Sequence, residues 1–139
     1  MNFDQWLWRF YLRGMFFETL KKPRAAIETY RRALAANPAF ARAASCLGYL
    51  HASLKEYGAA ESYFVRALEL APSADLWFNL GFAREQAGQR EAEVAAFREA
   101  VKLNANLDPA WYGMGLACAG LGQHDEAAKA LPKRRRFSP

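Results

Sequence analysis

The groups from which catalysis or metal binding would be built are few in this chain. His51 and His124 are the only histidines and Cys46 and Cys118 the only cysteines in 139 residues. Neither histidine sits in a motif with a nucleophile or a carboxylate partner. His51 reads as a half-buried structural side chain and His124 as a turn residue. The cysteines form no metal or redox motif and read as small buried apolar groups. The glycines are singletons, so no glycine-rich loop is available to cradle a phosphate. The neighbouring acids Glu91 and Glu93, and Asp125 and Glu126, fall at expected helix starts, where negative charge favours the helix dipole. No enzyme, metal site, cofactor or small-molecule substrate is implied by these residues.

The elements that hold them are helices. Apolar residues make up 53% of the chain and charged residues 24%, which excludes disorder for most of it. Alanine occurs 28 times, whereas Val, Ile and Thr together occur six times. A sheet protein needs many more β-branched residues, so the expected fold is all-α. The N-terminus MNFDQWLWRF lacks the basic start and small-residue cleavage site of a signal peptide. No 18-residue uncharged apolar run is present. A cytoplasmic location is therefore expected, and a membrane partner is not.

The chain repeats itself. Gly14, Gly48, Gly81 and Gly115 recur at spacings of 34, 33 and 34. Four residues before them stand Phe10, Ala44, Trp77 and Trp111, and one before stand Arg13, Leu47, Leu80 and Met114. Twelve after stand Ala26, Ala60, Glu93 and Ala127, and sixteen after stand Tyr30, Phe64, Phe97 and Leu131. Ala33, Ala67 and Ala100 follow at nineteen, and Pro38 and Pro72 at twenty-four. This order of large, small and turn residues resembles the tetratricopeptide repeat (TPR) over residues 7–131. The blocks Leu76–Gly81 and Ala110–Gly115 resemble that family's first helix, and Ala60–Ala67 and Val94–Ala100 its second.

The resemblance implies a right-handed superhelical solenoid of antiparallel helix pairs, A and B, with three full repeats and a partial fourth. The repeats span about 7–40, 41–73, 74–107 and 108–131. Helices are expected at 4–20, 24–36, 41–54, 58–70, 75–87, 91–103 and 108–121, with a stub at 125–131. Gly88 and Gly122 suit left-handed helix ends, Asp108-Pro109 a helix start, and Pro38 and Pro72 helix stops. The two cysteines then lie two repeats apart, too far for a disulfide.

Three departures stand out. Arg13 replaces an apolar residue, and Glu93 replaces a small one, with Ala92 expected to take its place. Pro132 is expected to cut the last B helix short. Helix 108–121 would then expose Trp111, Met114 and Cys118, a patch suited to self-association. The N-terminal aromatics Phe3, Trp6, Trp8, Phe10, Tyr11, Phe16 and Phe17 are too many for one stripe, and Phe3 and Trp6 join that self-association set.

In the family, the A helices line a concave groove that holds peptides or partner helices. The resemblance places Trp8, Tyr11, Met15, Arg42, Tyr49, Phe78, Asn79, Phe82, Tyr112 and Leu116 there, with Asn79 matching an asparagine that bonds a ligand's backbone. So aromatic a set suits a hydrophobic peptide or helix, not the acidic tails of heat-shock chaperones. The implied function is a non-enzymatic protein–protein interaction scaffold that binds such a segment or assembles with its own copies. Alternatives are a secretion chaperone and the regulatory segment of a larger protein. Binding of nucleic acid through the basic tail is the weakest reading. The net charge is +5, but residues 133–139 hold four cations, and without them 15 cations face 14 acids. Residues 132–139 are expected to be a disordered basic tail.

Overall fold

A computed structural model of the chain describes the backbone of residues 3–135 and the side chains of residues 9–131. All regular structure among the described residues is helical: α1 (Phe3–Thr19), α2 (Pro23–Ala36), α3 (Ala41–Ser53), α4 (Tyr57–Leu70), α5 (Ala74–Gln86), α6 (Arg90–Leu103), α7 (Asp108–Gly120) and α8 (His124–Arg135). The chain divides into two compact units, one ending at Ala71 and one beginning at Pro72. Each unit is two helical hairpins. In the first, α1 packs on α2, α2 on α3 and α3 on α4. In the second, α5 packs on α6, α6 on α7 and α7 on α8.

The glycine ladder has a direct steric cause. A Cβ added at Gly14 would lie 2.5 Å from the Tyr30 ring, at Gly48 2.6 Å from Phe64, and at Gly81 2.7 Å from Phe97. At Gly115 it would meet Leu131 at 2.9 Å. Each large residue sixteen positions on therefore lies flat against the bare backbone of its own hairpin's first helix. Tyr30, Phe64 and Phe97 are all but fully buried. Alanines at 26, 33, 60, 67, 100, 127 and 130 fill the remaining helix crossings, each at most 5% exposed.

The four A-to-B turns share one geometry. The amides of Lys22, Glu56, Gln89 and Gln123 reach back to the carbonyls of Phe17, His51, Arg84 and Cys118 at 2.8–2.9 Å. This is the Schellman closure, which puts the preceding residue in the left-handed region. Gly88 (φ 75°) and Gly122 (φ 80°) fill it in the second unit, as expected. Lys21 (φ 56°) and Lys55 (φ 62°) fill it in the first, where the composition of the turn gives no sign. Ser73 caps α5, its hydroxyl oxygen accepting from the Leu76 amide at 3.1 Å.

Four expectations are corrected. The last B helix is not a stub: α8 continues through Pro132 to Arg135, so the expected tail begins helical. Proline removes one hydrogen bond, to the carbonyl of Ala128, and Ala128 is exposed so that water can replace it. Residues 136–139 lie outside the described residues. Because Ala127 and Ala130 of α8 pack against α7, Met114 is 8% exposed and Cys118 fully buried. Trp111 is half-buried, its indole N–H donating to the Ala105 carbonyl at 2.8 Å. These three residues thus offer no open apolar patch. Asp108 does not cap α7; Leu107 holds the cap position without a side-chain bond. Ala92 does not replace Glu93, which is itself buried at 5% exposure.

Candidate functional site

The expected binding residues come from the first helix of each hairpin. Within a helix, residues four apart share a face. Tyr11 and Met15 pair in this way on α1, Phe78 and Phe82 on α5, and Tyr112 and Leu116 on α7; on α3 Ser45 pairs with Tyr49. The opposite side of each helix is spent on the core, through Leu47 and Leu50 on α3, Leu76, Leu80 and Ala83 on α5, and Met114 and Ala117 on α7. These helices are therefore apolar on two faces, only one of which is covered within its hairpin.

The column one residue after each glycine is uniformly open. Met15, Tyr49, Phe82 and Leu116 are 42–48% exposed. The column three before is more deeply set. Tyr11 lies 5.9 Å from the rings of both Tyr30 and Phe40, and Phe78 lies 5.7 Å from Phe97. These two rings form the floor of their faces more than they project from them. Tyr112 is exposed, and Tyr49 stands edge-on to Phe64 at 5.5 Å. The structure thus presents one apolar face in the first unit, from Tyr11, Met15 and Tyr49, and one in the second, from Phe78, Phe82, Tyr112 and Leu116.

The polar members of the set differ. Arg42 is exposed on α3. The Asn79 amide nitrogen donates to the Asp75 carbonyl of its own helix at 2.7 Å, so that donor is engaged within α5. The side chains of Phe3, Trp6 and Trp8 lie outside the described residues.

The groups first considered for chemistry are occupied structurally. His51 Nδ1 lies 3.1 Å from Glu56 Oε1, and its ring stacks on Tyr63 at 5.4 Å with an 8° interplanar angle. Arg24 grips the same carboxylate at 2.9 Å. Hydrogen bonding from Arg24 holds the Glu56 carboxyl below the usual range, against desolvation that ranks next and with a lesser contribution from His51. The cluster ties α2 to the α3–α4 turn and holds no nucleophile. Burial pushes up the thiols of Cys46 and Cys118, helped by Glu18 at the first and Glu126 at the second. Both are kept as protonated, unreactive thiols. Burial likewise raises the Tyr30 hydroxyl, which donates to Glu18 Oε2 at 2.6 Å. Among the described residues no group of three His, Cys, Asp or Glu side chains could hold a metal ion. No described helix is long and apolar enough to cross a membrane.

Glu93, expected to yield its place to Ala92, keeps it as a buried acid. Burial first, and Glu85 second, push the Glu93 carboxyl up to about 7, opposed by Arg90. The column of Ala26, Ala60 and Ala127 marks this position as one for a small residue, and what packing adds is that the acid itself occupies it and not Ala92.

Known proteins share this organisation. Residues 11–75 match the tetratricopeptide repeat, and residues 74–107 and 108–133 match it again. The chain is 31% identical over 88 residues to the small glutamine-rich tetratricopeptide repeat-containing protein 2 of Mycosarcoma maydis. That alignment covers 63% of this chain and 25% of the relative, so the chain spans about a quarter of its length. A crystal structure of MamA superposes with a TM-score of 0.88 at 24% identity, covering 94% of this chain and 77% of the other. A second MamA structure gives 0.85 at 25% identity, covering 92% and 70%. With four glycine-registered hairpins, matched along nearly their whole length, the chain belongs to the tetratricopeptide repeat family, whose members are protein-interaction scaffolds.

Proposed function

We propose that the chain is a non-enzymatic scaffold that binds a hydrophobic peptide or an amphipathic helix on an open face presented by the first helices of a unit. The observation that carries this reading is the column Met15, Tyr49, Phe82 and Leu116, four large apolar side chains at one register, all nearly half exposed. Such a repeated row is costly to leave in water, at about 25 cal/mol per Å² of apolar surface. Rigid aromatic side chains bind with little loss of rotamer freedom, which suits Tyr49, Phe82 and Tyr112 as anchors.

The test is capture from a cell extract by the wild-type chain and by Phe82→Ala/Tyr112→Ala, two anchors of the second unit's face, read by mass spectrometry. Loss of two anchors at roughly 2 kcal/mol each weakens binding by more than about a hundredfold. Proteins held by the wild type should therefore be absent from the variant, while circular dichroism shows unchanged helicity. Equal capture by both sinks the assignment of this face.

Self-association is a second reading, favoured by a different surface from the one first expected. Leu12 (59% exposed), Phe16 (58%) and Leu20 (47%) form an i, i+4, i+8 apolar row along α1 and its end. Sedimentation velocity at micromolar concentration should show a dimer or larger species that Leu12→Glu/Phe16→Glu converts to monomer. A wild-type monomer at every concentration removes this reading.

A further inference from the structure

The open face of the second unit carries charge of one sign only. On α5 the residues Asp75, Phe78, Phe82 and Glu85 fall at i, i+3, i+7 and i+10, along one stripe of the helix. The same register of α7 holds Pro109, Tyr112, Leu116 and Ala119, none of them charged. The face is therefore an apolar band bounded by two exposed carboxylates, which stand about 15 Å apart along the helix axis. In the first unit the acid at the place of Glu85 is Glu18, and it shares its face with Arg42, whose place Pro109 takes in the second.

Folding accounts for Asp75 but not for Glu85. Asp75 lies in the first turn of α5, where the helix dipole favours an acid. Glu85 lies in the last turn, where the same dipole opposes it, and it also repels the buried Glu93. Glu18 holds the equivalent place in α1 and there accepts from the buried Tyr30 hydroxyl. Phe97 replaces Tyr30 in the second unit and has no hydroxyl to satisfy, yet the acid is present. Among the described residues the Glu85 side chain makes no ion pair or hydrogen bond. Arg84 is turned to the Ala92 carbonyl at 3.0 Å, and Arg90 lies across the bare backbone of Gly120. A carboxylate left unanswered at the end of an exposed apolar band is complementary to a cation brought by a ligand.

We propose that the segment bound on the second unit's face is basic as well as apolar: a lysine or arginine seats against Glu85 and another against Asp75, with apolar side chains between them on Phe82, Tyr112 and Leu116. This rests on the reading of the open face as a binding surface and names the chemistry of its partner. The net charge of +5 makes the preference diagnostic, because the field of a cationic chain draws acidic segments and a selection for basic ones must arise locally. The probe is a phage-displayed library of random peptides about twelve residues long, panned on the full chain. Enriched peptides should combine large apolar residues with lysine or arginine. One of them, resynthesised with a fluorescein label and followed by anisotropy, should bind Asp75→Asn/Glu85→Gln about fivefold or more weakly than the wild type. Replacing its basic residues by glutamine should cost a similar factor with the wild type and little with that variant. Enrichment of apolar peptides without basic residues, or a basic preference that the Asp75→Asn/Glu85→Gln variant keeps undiminished, overturns this inference and leaves the open face as a binding surface. Absence of any enrichment, or enrichment that Phe82→Ala/Tyr112→Ala retains in full, overturns the inference together with the second unit's face.

Discussion

Gly81→Ala should lower the stability of the chain by about 2–3 kcal/mol, as expected for overpacking a filled core. The sign is the informative part. In a helix interior, glycine to alanine is ordinarily favourable by about 1 kcal/mol. Here the new methyl would sit 2.7 Å from the Phe97 ring, which is 2% exposed. The ring has nowhere to retreat, because its other edge faces Gly113 on α7, where an added Cβ would lie 2.9 Å away. Phe97 is thus held between two bare stretches of backbone, and each glycine is needed by the same ring. A double-mutant cycle isolates this contact. In a Phe97→Leu background the penalty of Gly81→Ala should shrink by about 1 kcal/mol or more, measured by urea unfolding followed by circular dichroism. An equal penalty in both backgrounds would assign the cost to something other than the ring.

That contact also shows what a sequence of this kind discloses. The glycine column and the large residues sixteen positions on were visible as separate periodicities, because any larger side chain at 14, 48, 81 or 115 collides with the large side chain opposite, a ring in three hairpins and Leu131 in the fourth. Helix bounds were legible to within one or two residues for seven helices, since turn chemistry marks them. Where the rule was local and one-sided it failed. Pro132 reads as a stop, yet the single bond it removes faces water, and the alanines before it gain more by packing on α7 than the proline costs. With α8 complete, Met114 and Cys118 become core. Lys21 and Lys55 could not be read as left-handed residues, because the Schellman bonds impose that geometry on whatever occupies the position, at about 1–2 kcal/mol for a residue with a Cβ. The choice of Met15, Tyr49, Phe82 and Leu116 as the proposed binding column came only from the resemblance. Periodicity identifies apolar faces but not which of two is covered, and a helix that is apolar on both sides looks alike either way.

Glu93→Gln should remove a pH dependence of stability that the wild type carries between about pH 4.5 and 7. The carboxyl is buried in α6 at a position where the other repeats have Ala26, Ala60 and Ala127. Its surroundings supply little compensation: Glu85 of α5 repels it, Arg90 of its own helix partly offsets this, and the nearby Cys118 of α7 stays protonated. Its folded-state value of about 7 lies above the model-peptide value of 4.5. The folded chain therefore holds this proton more tightly than the unfolded one. Below the unfolded value both states are protonated and the site costs nothing. As pH rises toward 7 the unfolded chain ionises first, and stability falls. Above the folded value both are ionised and the loss is complete, at about 3 kcal/mol for a shift of this size. Subtracting the variant's unfolding free energy from the wild type's at each pH cancels the other titrating groups. The difference should be flat at pH 8 and above and shrink steadily toward pH 5. Glu93→Ala, which restores the residue found in the other repeats, should gain stability at pH 8 but not at pH 5, where its only effect is lost packing. A difference that does not vary with pH would mean that the carboxyl reaches water in the folded chain and that its burial imposes no charge penalty.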